Sequence, residues 1–405
     1  AIYYHAYNAL IKGNYTEVYL DMTHGINYMP HLASEAVRLA AYVYAVRNRK
    51  SISLVTVNSD PYSVSRSQSP GSRQQVSEAS REVPDLTIHR TYEEVVMRWS
   101  APNVIGTLAL GALEWYASVN IRYKDLYNKE KWRGVPISAR AVSLLLTKLT
   151  QDERDALKLG LVVSASLRDA LYPVILSLKD EIEKYSTALT ADLESLAKTP
   201  MGVERRGGQL IIRHTNKPNV LKGEGSATYR AIMAMHAALE VARSLIDDVK
   251  EYIKAVGNVL AFAIDALERL NKSYGGVASR AIMAREIGNF EEVSGDAMKG
   301  LVGKQYRLRT WKCLRKRSVE ECVKLEEEAK AKADLCSTVK TGDDEHVLND
   351  YRNLIAHAGF HEYDMYVVIH EEGGEVKPLI TYGDKINCIK DLIYRVIMID
   401  VSRQR

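Results

Sequence analysis

The sequence predicts an α/β unit followed by a larger, mainly helical one. Two observations carry that division. Up to about residue 100, short β-branched runs alternate with helical stretches, the pattern of a parallel sheet with crossover helices. Beyond it, apolar residues recur at three- and four-residue spacing over long stretches, with prolines falling between them. At 405 residues the chain is long enough for two or three domains.

The chain opens at Ala1, not Met, with an amphipathic helical stretch over residues 1–11. A parallel-sheet domain ordinarily opens on a strand. The first strands of this unit, and with them part of any ligand site, are therefore expected to be absent from the sequence. Residues 16–21 read as a strand, and residues 30–47 as a helix with Leu32, Ala36, Leu39, Ala40 and Val43 on one face. Residues 51–57 give a second strand. Residues 59–82, rich in Ser, Gln, Arg and Pro, read as a long loop, and residues 85–90 as an edge strand.

Helices are expected near 103–122, 138–149, 151–171 and 174–198, with Pro102, Pro136 and Pro173 as punctuation. Residues 203–215 read as a strand pair turning at Gly207-Gly208. Long amphipathic helices are expected over 226–247 and 249–272, and a charged one over 318–334. Residues 364–382 read as a hairpin turning at Gly373-Gly374, ahead of a last helix over 385–401. The division drawn from this is 1–100, 101–160 and 161–405, the middle part being a helical connector of winged-helix-like character.

Composition excludes some classes. Fifty-five Lys and Arg against 51 Asp and Glu leave a net charge of +4. That balance permits a nucleic-acid partner without requiring one. No apolar run approaches the roughly 20 residues of a membrane-spanning helix. Cys313, Cys322, Cys336 and Cys388 show neither C-x-x-C spacing nor the histidine partners of a zinc site, so reduced thiols in a cytoplasmic protein are expected. No metal site is expected. No glycine-rich phosphate loop is present, and no nucleophilic Ser or Cys arrangement stands out.

Two motifs carry chemistry. In residues 349–360, Tyr351, Leu354 and Ile355 continue a helical spacing that Gly359 can end in a left-handed stop. Arg352 and His357 lie five residues apart, so they project roughly 140° from each other around the helix. They do not share a face, but they can flank one cleft where that helix meets a symmetry mate. His357 can move a proton near neutral pH, and Arg352 can stabilise charge on a crowded phosphate. Asn353 can hold the imidazole or a phosphate oxygen. A helix-end histidine is also often only a cap, so the bare spacing is a weak signal.

The second motif closes the first strand as Asp21-x-Thr23-His24-Gly25-x-Asn27 and feeds a helix. Open α/β sheets bind ligands at the carboxyl ends of their strands, where helix N–H groups point outward. Gly25 lets backbone approach a phosphate, while Thr23, His24 and Asn27 offer short polar contacts. Asp21 is expected to brace the loop. The same residues also suit an ordinary strand-to-helix turn. A weaker candidate is the basic segment 304–317, which holds no acid and interleaves Arg307, Arg309 and Arg315 with Trp311; it suits single-stranded RNA, and a solvated helix face balanced by Glu320, Glu321 and Glu326–Glu328 accounts for it equally well.

Together the two motifs resemble, in content and order, the CARF–HEPN ribonucleases of type III CRISPR systems. The first string is similar to the CARF ligand loop, and Arg352-Asn353-x-x-x-His357 is similar to the HEPN signature, including a polar residue after the arginine. The resemblance implies a Rossmann-like CARF domain and a helical HEPN domain. It also implies a metal-independent endoribonuclease of single-stranded RNA, activated by a cyclic oligoadenylate, most simply cyclic tetra-adenylate. Arg352, Asn353 and His357 would serve cleavage, and Thr23, His24, Gly25 and Asn27 the activator. Cleavage would need no cofactor, and it would need a homodimer or higher oligomer to build the composite cleft. The other reading is a CARF-type sensor that regulates transcription beside an idle HEPN part. An intact Arg352/His357 pair argues against it, since an idle site needs neither.

Overall fold

The computed structural model describes residues 1–23, 29–59, 87–121, 137–198, 201–206, 209–214, 218–221, 226–290, 301–314 and 344–400, with scattered positions between 317 and 339. The first helix, α1 (Ile2–Lys12), buries Tyr3, Tyr7 and Leu10, one face at helical spacing. It is followed by β1 (Glu17–Asp21), α2 (Met29–Arg47) and β2 (Ile52–Ser59). β1 and β2 pair in parallel, with Tyr19 opposite Val55, and α1 packs against α2. The edge strand β3 (Ile88–Val96) lies antiparallel to β2 with a register shift at Thr56/Val57. It runs past the expected end at residue 90, and residues 85 and 86 of the expected strand lie outside the described residues. The sequence shows why: the strand continues into Thr91, Tyr92 and Val95, residues that favour extended backbone.

The helical part is built around α3 (Ala101–Val119), α5 (Gln151–Arg168) and α8 (Ser226–Asp248), with α3 packed on both of the others. Buried residues run without a break from Leu159 to Leu167, so α5 has apolar surroundings on every side. A capping box from Thr150 and Glu153 starts it. α4 (Ile137–Lys148) precedes it, and α6 (Tyr172–Ser177) and α7 (Lys179–Lys198) follow. The single helix expected over 174–198 is thus two, separated at Leu178. The hairpin β4 (Met201–Arg206) and β5 (Gln209–His214) forms as expected. One cluster of buried apolar residues runs from Tyr3 through Ile397, so the α/β part and the helices share a core.

One element differs in kind. Residues 249–272 form no continuous helix: β6 (Ile253–Val256) and β7 (Val259–Ala263) make a hairpin before α9 (Ile264–Tyr274). Gly257, at φ +59°, turns it. The β-branched residues of Ile253–Val256 and the Gly-Asn pair outweighed the helical spacing. α10 (Val277–Phe290), β8 (Gln305–Arg307), α11 (Leu308–Leu314) and α12 (Asp344–Ala356) follow. The hairpin β9 (Tyr366–Glu372) and β10 (Glu375–Thr381) turns at Gly373-Gly374 as expected, and α13 (Ile386–Asp400) completes the described chain. Five strands form one antiparallel sheet in the order β6-β7-β10-β9-β8. Most of the charged stretch 318–334 lies outside the described residues.

The cysteines correct the sequence reading. All four are paired: Cys313 with Cys322, and Cys336 with Cys388. Separations of 9 and 52 residues carry no local signature, which is why spacing alone did not show them. No described helix is long and apolar enough to cross a membrane.

Candidate functional site

Helix α12 buries Val347, Leu348, Tyr351 and Leu354 and turns Arg352 and Asn353 outward. The Tyr351 hydroxyl donates to Asp169, which is also held by Arg168, so the buried face is fixed to the end of α5. Burial and the Asp169 carboxylate push the Tyr351 hydroxyl far above its ordinary range. The helix ends in a Schellman arrangement: the Gly359 N–H donates to the Leu354 carbonyl (2.7 Å), and the Ala358 N–H to the Ile355 carbonyl (2.9 Å). Both closing residues are left-handed, Ala358 at φ +49° and Gly359 at +87°. The stop expected at Gly359 therefore spans two residues, with His357 as the capping position just past Ala356.

Gly359 is also pressed against α6, where a Cβ would stand 3.1 Å from the Pro173 ring. Gly359→Ala is accordingly expected to cost about 2 kcal/mol. Ala358→Gly, which relieves a left-handed Cβ, should be neutral or stabilising by up to about 1 kcal/mol. Chemical unfolding of the two variants checks the opposite signs.

His357 is partly exposed, and its Nδ1 lies 2.9 Å from Oε1 of Glu286 on α10. Glu286 is 2% exposed. Its other oxygen meets Lys312 Nζ at 3.2 Å, and Lys312 also reaches Glu362 at 2.8 Å. Burial alone would raise the Glu286 carboxyl, but His357 and Lys312 outweigh it and hold it below the usual carboxylate range. Arg285, next on α10, reaches both Glu286 and the Ala356 carbonyl at the end of α12. Arg352 Nη1 lies 3.4 Å from Asn349 Oδ1 and is otherwise turned to solvent. Asn353 meets His357 through backbone, its carbonyl accepting the His357 N–H at 3.1 Å. The imidazole is thus held by Glu286, and of the two roles read for Asn353 the side chain's contact with the imidazole is not made here, which leaves the phosphate oxygen.

Glu286 stands 71 residues from His357 and was not singled out from sequence. A signal was present. Met283, Ile287 and Phe290 make an apolar stripe at helical spacing, all buried, and Glu286 lies within it. An acid in such a stripe is rarely left without a cationic partner.

At the strand-end loop, Asp21 Oδ1 accepts the Thr23 N–H (2.8 Å), so Asp21 braces the loop as expected. The Thr23 hydroxyl accepts the Ser59 N–H (2.9 Å) and ties together the carboxyl ends of β1 and β2. His24, Gly25 and Asn27 lie outside the described residues, as does Arg315. Arg309 lies over the Tyr363 ring, 5.0 Å from its centre, and Arg307 is partly buried in β8. Trp311, expected to stack on RNA, is 1% exposed, rests on Phe290 and donates to its carbonyl. Its ring serves the core here, because a flat apolar surface beside Phe290 gains more from burial than from water. Among the described residues, no group of three or more His, Cys, Asp or Glu side chains is placed to hold a metal ion.

Comparison with known proteins bears on the first of these regions. Residues 1–61, which run from α1 through β2 and its end, match the family described as the CARF domain of CRISPR system endoribonuclease Csx1. A stretch of 82 residues is 35% identical to the CRISPR system endoribonuclease Csx1 of Methanocaldococcus jannaschii. That stretch is 20% of this chain and covers 14% of the relative's length. The family match therefore reaches the strand-end loop and its surroundings, and the Arg352–His357 helix lies outside it. Over its first 61 residues the chain is therefore similar to the CARF domain of Csx1, a CRISPR-associated endoribonuclease.

Proposed function

We propose that the protein is a metal-independent endoribonuclease of single-stranded RNA, switched on by a cyclic oligoadenylate, with cyclic tetra-adenylate as the first candidate. One observation carries the reading. At the end of α12, His357 is held at Nδ1 by a buried carboxylate, while Arg352 stands exposed on the same helix. With Nδ1 engaged, Nε2 is the nitrogen that moves a proton. The RNA 2'-hydroxyl attacks the adjacent phosphorus as the bond to the 5'-oxygen breaks. His357 takes the hydroxyl proton and returns one to the leaving oxygen, and Arg352 stabilises charge on the phosphate. The products are a 2',3'-cyclic phosphate and a 5'-hydroxyl, and no metal enters the balance.

In this reading residues 1–100 form a Rossmann-like CARF domain and residues 161–405 a HEPN domain, joined by residues 101–160. The α12 helices of two subunits face each other and make one cleft from two Arg352–His357 pairs, so a homodimer is the smallest working unit. The activator lies on the dimer axis against Thr23, His24, Gly25 and Asn27. Its tighter binding to the productive state shifts the population toward that state. The protein acts in the cytoplasm, in antiviral defence.

The test incubates purified protein with labelled single-stranded RNA and a chelator, with and without cyclic tetra-adenylate. Activator-dependent cleavage leaving cyclic-phosphate ends is the expected result. Duplex DNA binding with intact RNA would favour a transcriptional sensor instead and defeat the reading.

A further inference from the structure

We propose that Glu286 is a positioning residue for His357, setting which ring nitrogen carries the proton. This deepens the ribonuclease reading and rests on it. A neutral imidazole has one donor and one acceptor nitrogen, and the hydrogen bond at one fixes the state of the other. Glu286 is held as an anion by Lys312, so it accepts and cannot donate. A carboxylate 2.9 Å from Nδ1 therefore places the proton there and leaves the lone pair on Nε2. Nε2 is then ready to take the proton of an incoming 2'-hydroxyl.

The carboxylate is well built for this task. Its burial at 2% exposure keeps water from competing for its lone pairs. Its second oxygen is occupied by Lys312, which is itself held by Glu362. Arg285 approaches Oε1 at 3.2 Å and the Ala356 carbonyl at 3.3 Å, so it links the start of the His357 turn to α10. Three cations face one carboxylate when His357 is protonated. Such a cluster also steadies the imidazolium formed midway through the reaction, because its counter-charge needs no rearrangement. An ion pair with only a structural role would need no fixed tautomer, nor a side chain left 38% exposed.

The decisive variant is Glu286→Gln, which keeps shape and removes charge. Nitrogen NMR of histidine-labelled protein at mildly alkaline pH reads the tautomer, with the His357 signals assigned by their loss in His357→Ala. The expected result is a dominant Nδ1–H form in the unsubstituted protein and a mixed population in Glu286→Gln. The kcat for RNA cleavage should fall on the order of 10²-fold with KM unchanged. Lys312→Met removes one of the two other cations at Glu286, Arg285 remaining, and should leave the tautomer in place. An unshifted tautomer in Glu286→Gln, an unchanged kcat, or an equal shift in Lys312→Met would overturn the proposal. Absence of cleavage by the unsubstituted protein would defeat the functional reading instead, and the nitrogen spectra would then decide the positioning alone.

Discussion

His357→Ala should reduce activator-dependent RNA cleavage by about 10³-fold or more, since general acid–base catalysis by one positioned side chain contributes about 10²–10⁴-fold. Cyclic tetra-adenylate affinity should be unchanged, because the strand-end loop and α12 belong to different parts of the chain. The variant should also stay folded. Glu286 keeps Lys312 as a partner when the imidazole is gone, and the Schellman closure uses backbone alone. Cleavage assays paired with equilibrium binding of the activator check both halves. Retained cleavage would remove His357 from the chemistry, and equal loss of cleavage and binding would point to a damaged fold.

The second large effect lies in the core that joins α1 to the helices. Glu240 of α8 is 2% exposed and accepts from the Tyr7 hydroxyl (2.5 Å), from Ser186 and from Arg47 (3.2 Å). One turn earlier on α8, His236 is fully buried, with Nδ1 2.8 Å from the Tyr3 hydroxyl and Nε2 3.1 Å from the Thr190 hydroxyl. These contacts draw α1, α2 and α7 onto α8. Removing the carboxylate strands three donors, one of them charged. Glu240→Ala is therefore expected to cost about 3–5 kcal/mol in urea unfolding.

The same cluster gives a pH dependence of definite sign. Burial lowers His236 from 6.5 to about 4, against the opposing pull of Glu240. The fold holds the ring neutral, and the unfolded chain takes up a proton near pH 6.5. Stability is then full above about pH 6.5 and falls as pH drops toward 4, by about 3 kcal/mol in all. His236→Gln should flatten that slope. Unfolding free energies measured across this range, showing no slope in the unsubstituted protein, would contradict a buried neutral His236.

Much of the fold was legible because its signals are local. The faces of α1 and α2, the parallel strands β1 and β2, and the β9–β10 hairpin all follow from spacing and turn residues within a few positions. The β6–β7 hairpin was misread because a short apolar run fits helix and strand alike. The site divides in the same way. Arg352, Asn353 and His357 lie within one turn and a half of chain and could be found together. Glu286 and Lys312 reach them only through tertiary packing, over separations that no local pattern encodes. Trp311 misled for the converse reason, since its basic neighbours suggested exposure while Phe290, distant in sequence terms, covers it. The disulfides were invisible on the same grounds.

Arg49, just past the end of α2 and left-handed at φ +54°, grips Asp248 at the end of α8. The Tyr274 hydroxyl donates to that same aspartate and lies 3.4 Å from the Val46 carbonyl. Tyr274 ends α9, and only Gly275 and Gly276 separate it from α10, the helix that carries Glu286. The crossover helix α2 and the helix that leads into α10 are therefore anchored at one aspartate, Asp248. On the proposed reading, an activator that tilts α2 would act on α10 across that two-glycine joint, and what it would alter is the aim of a proton.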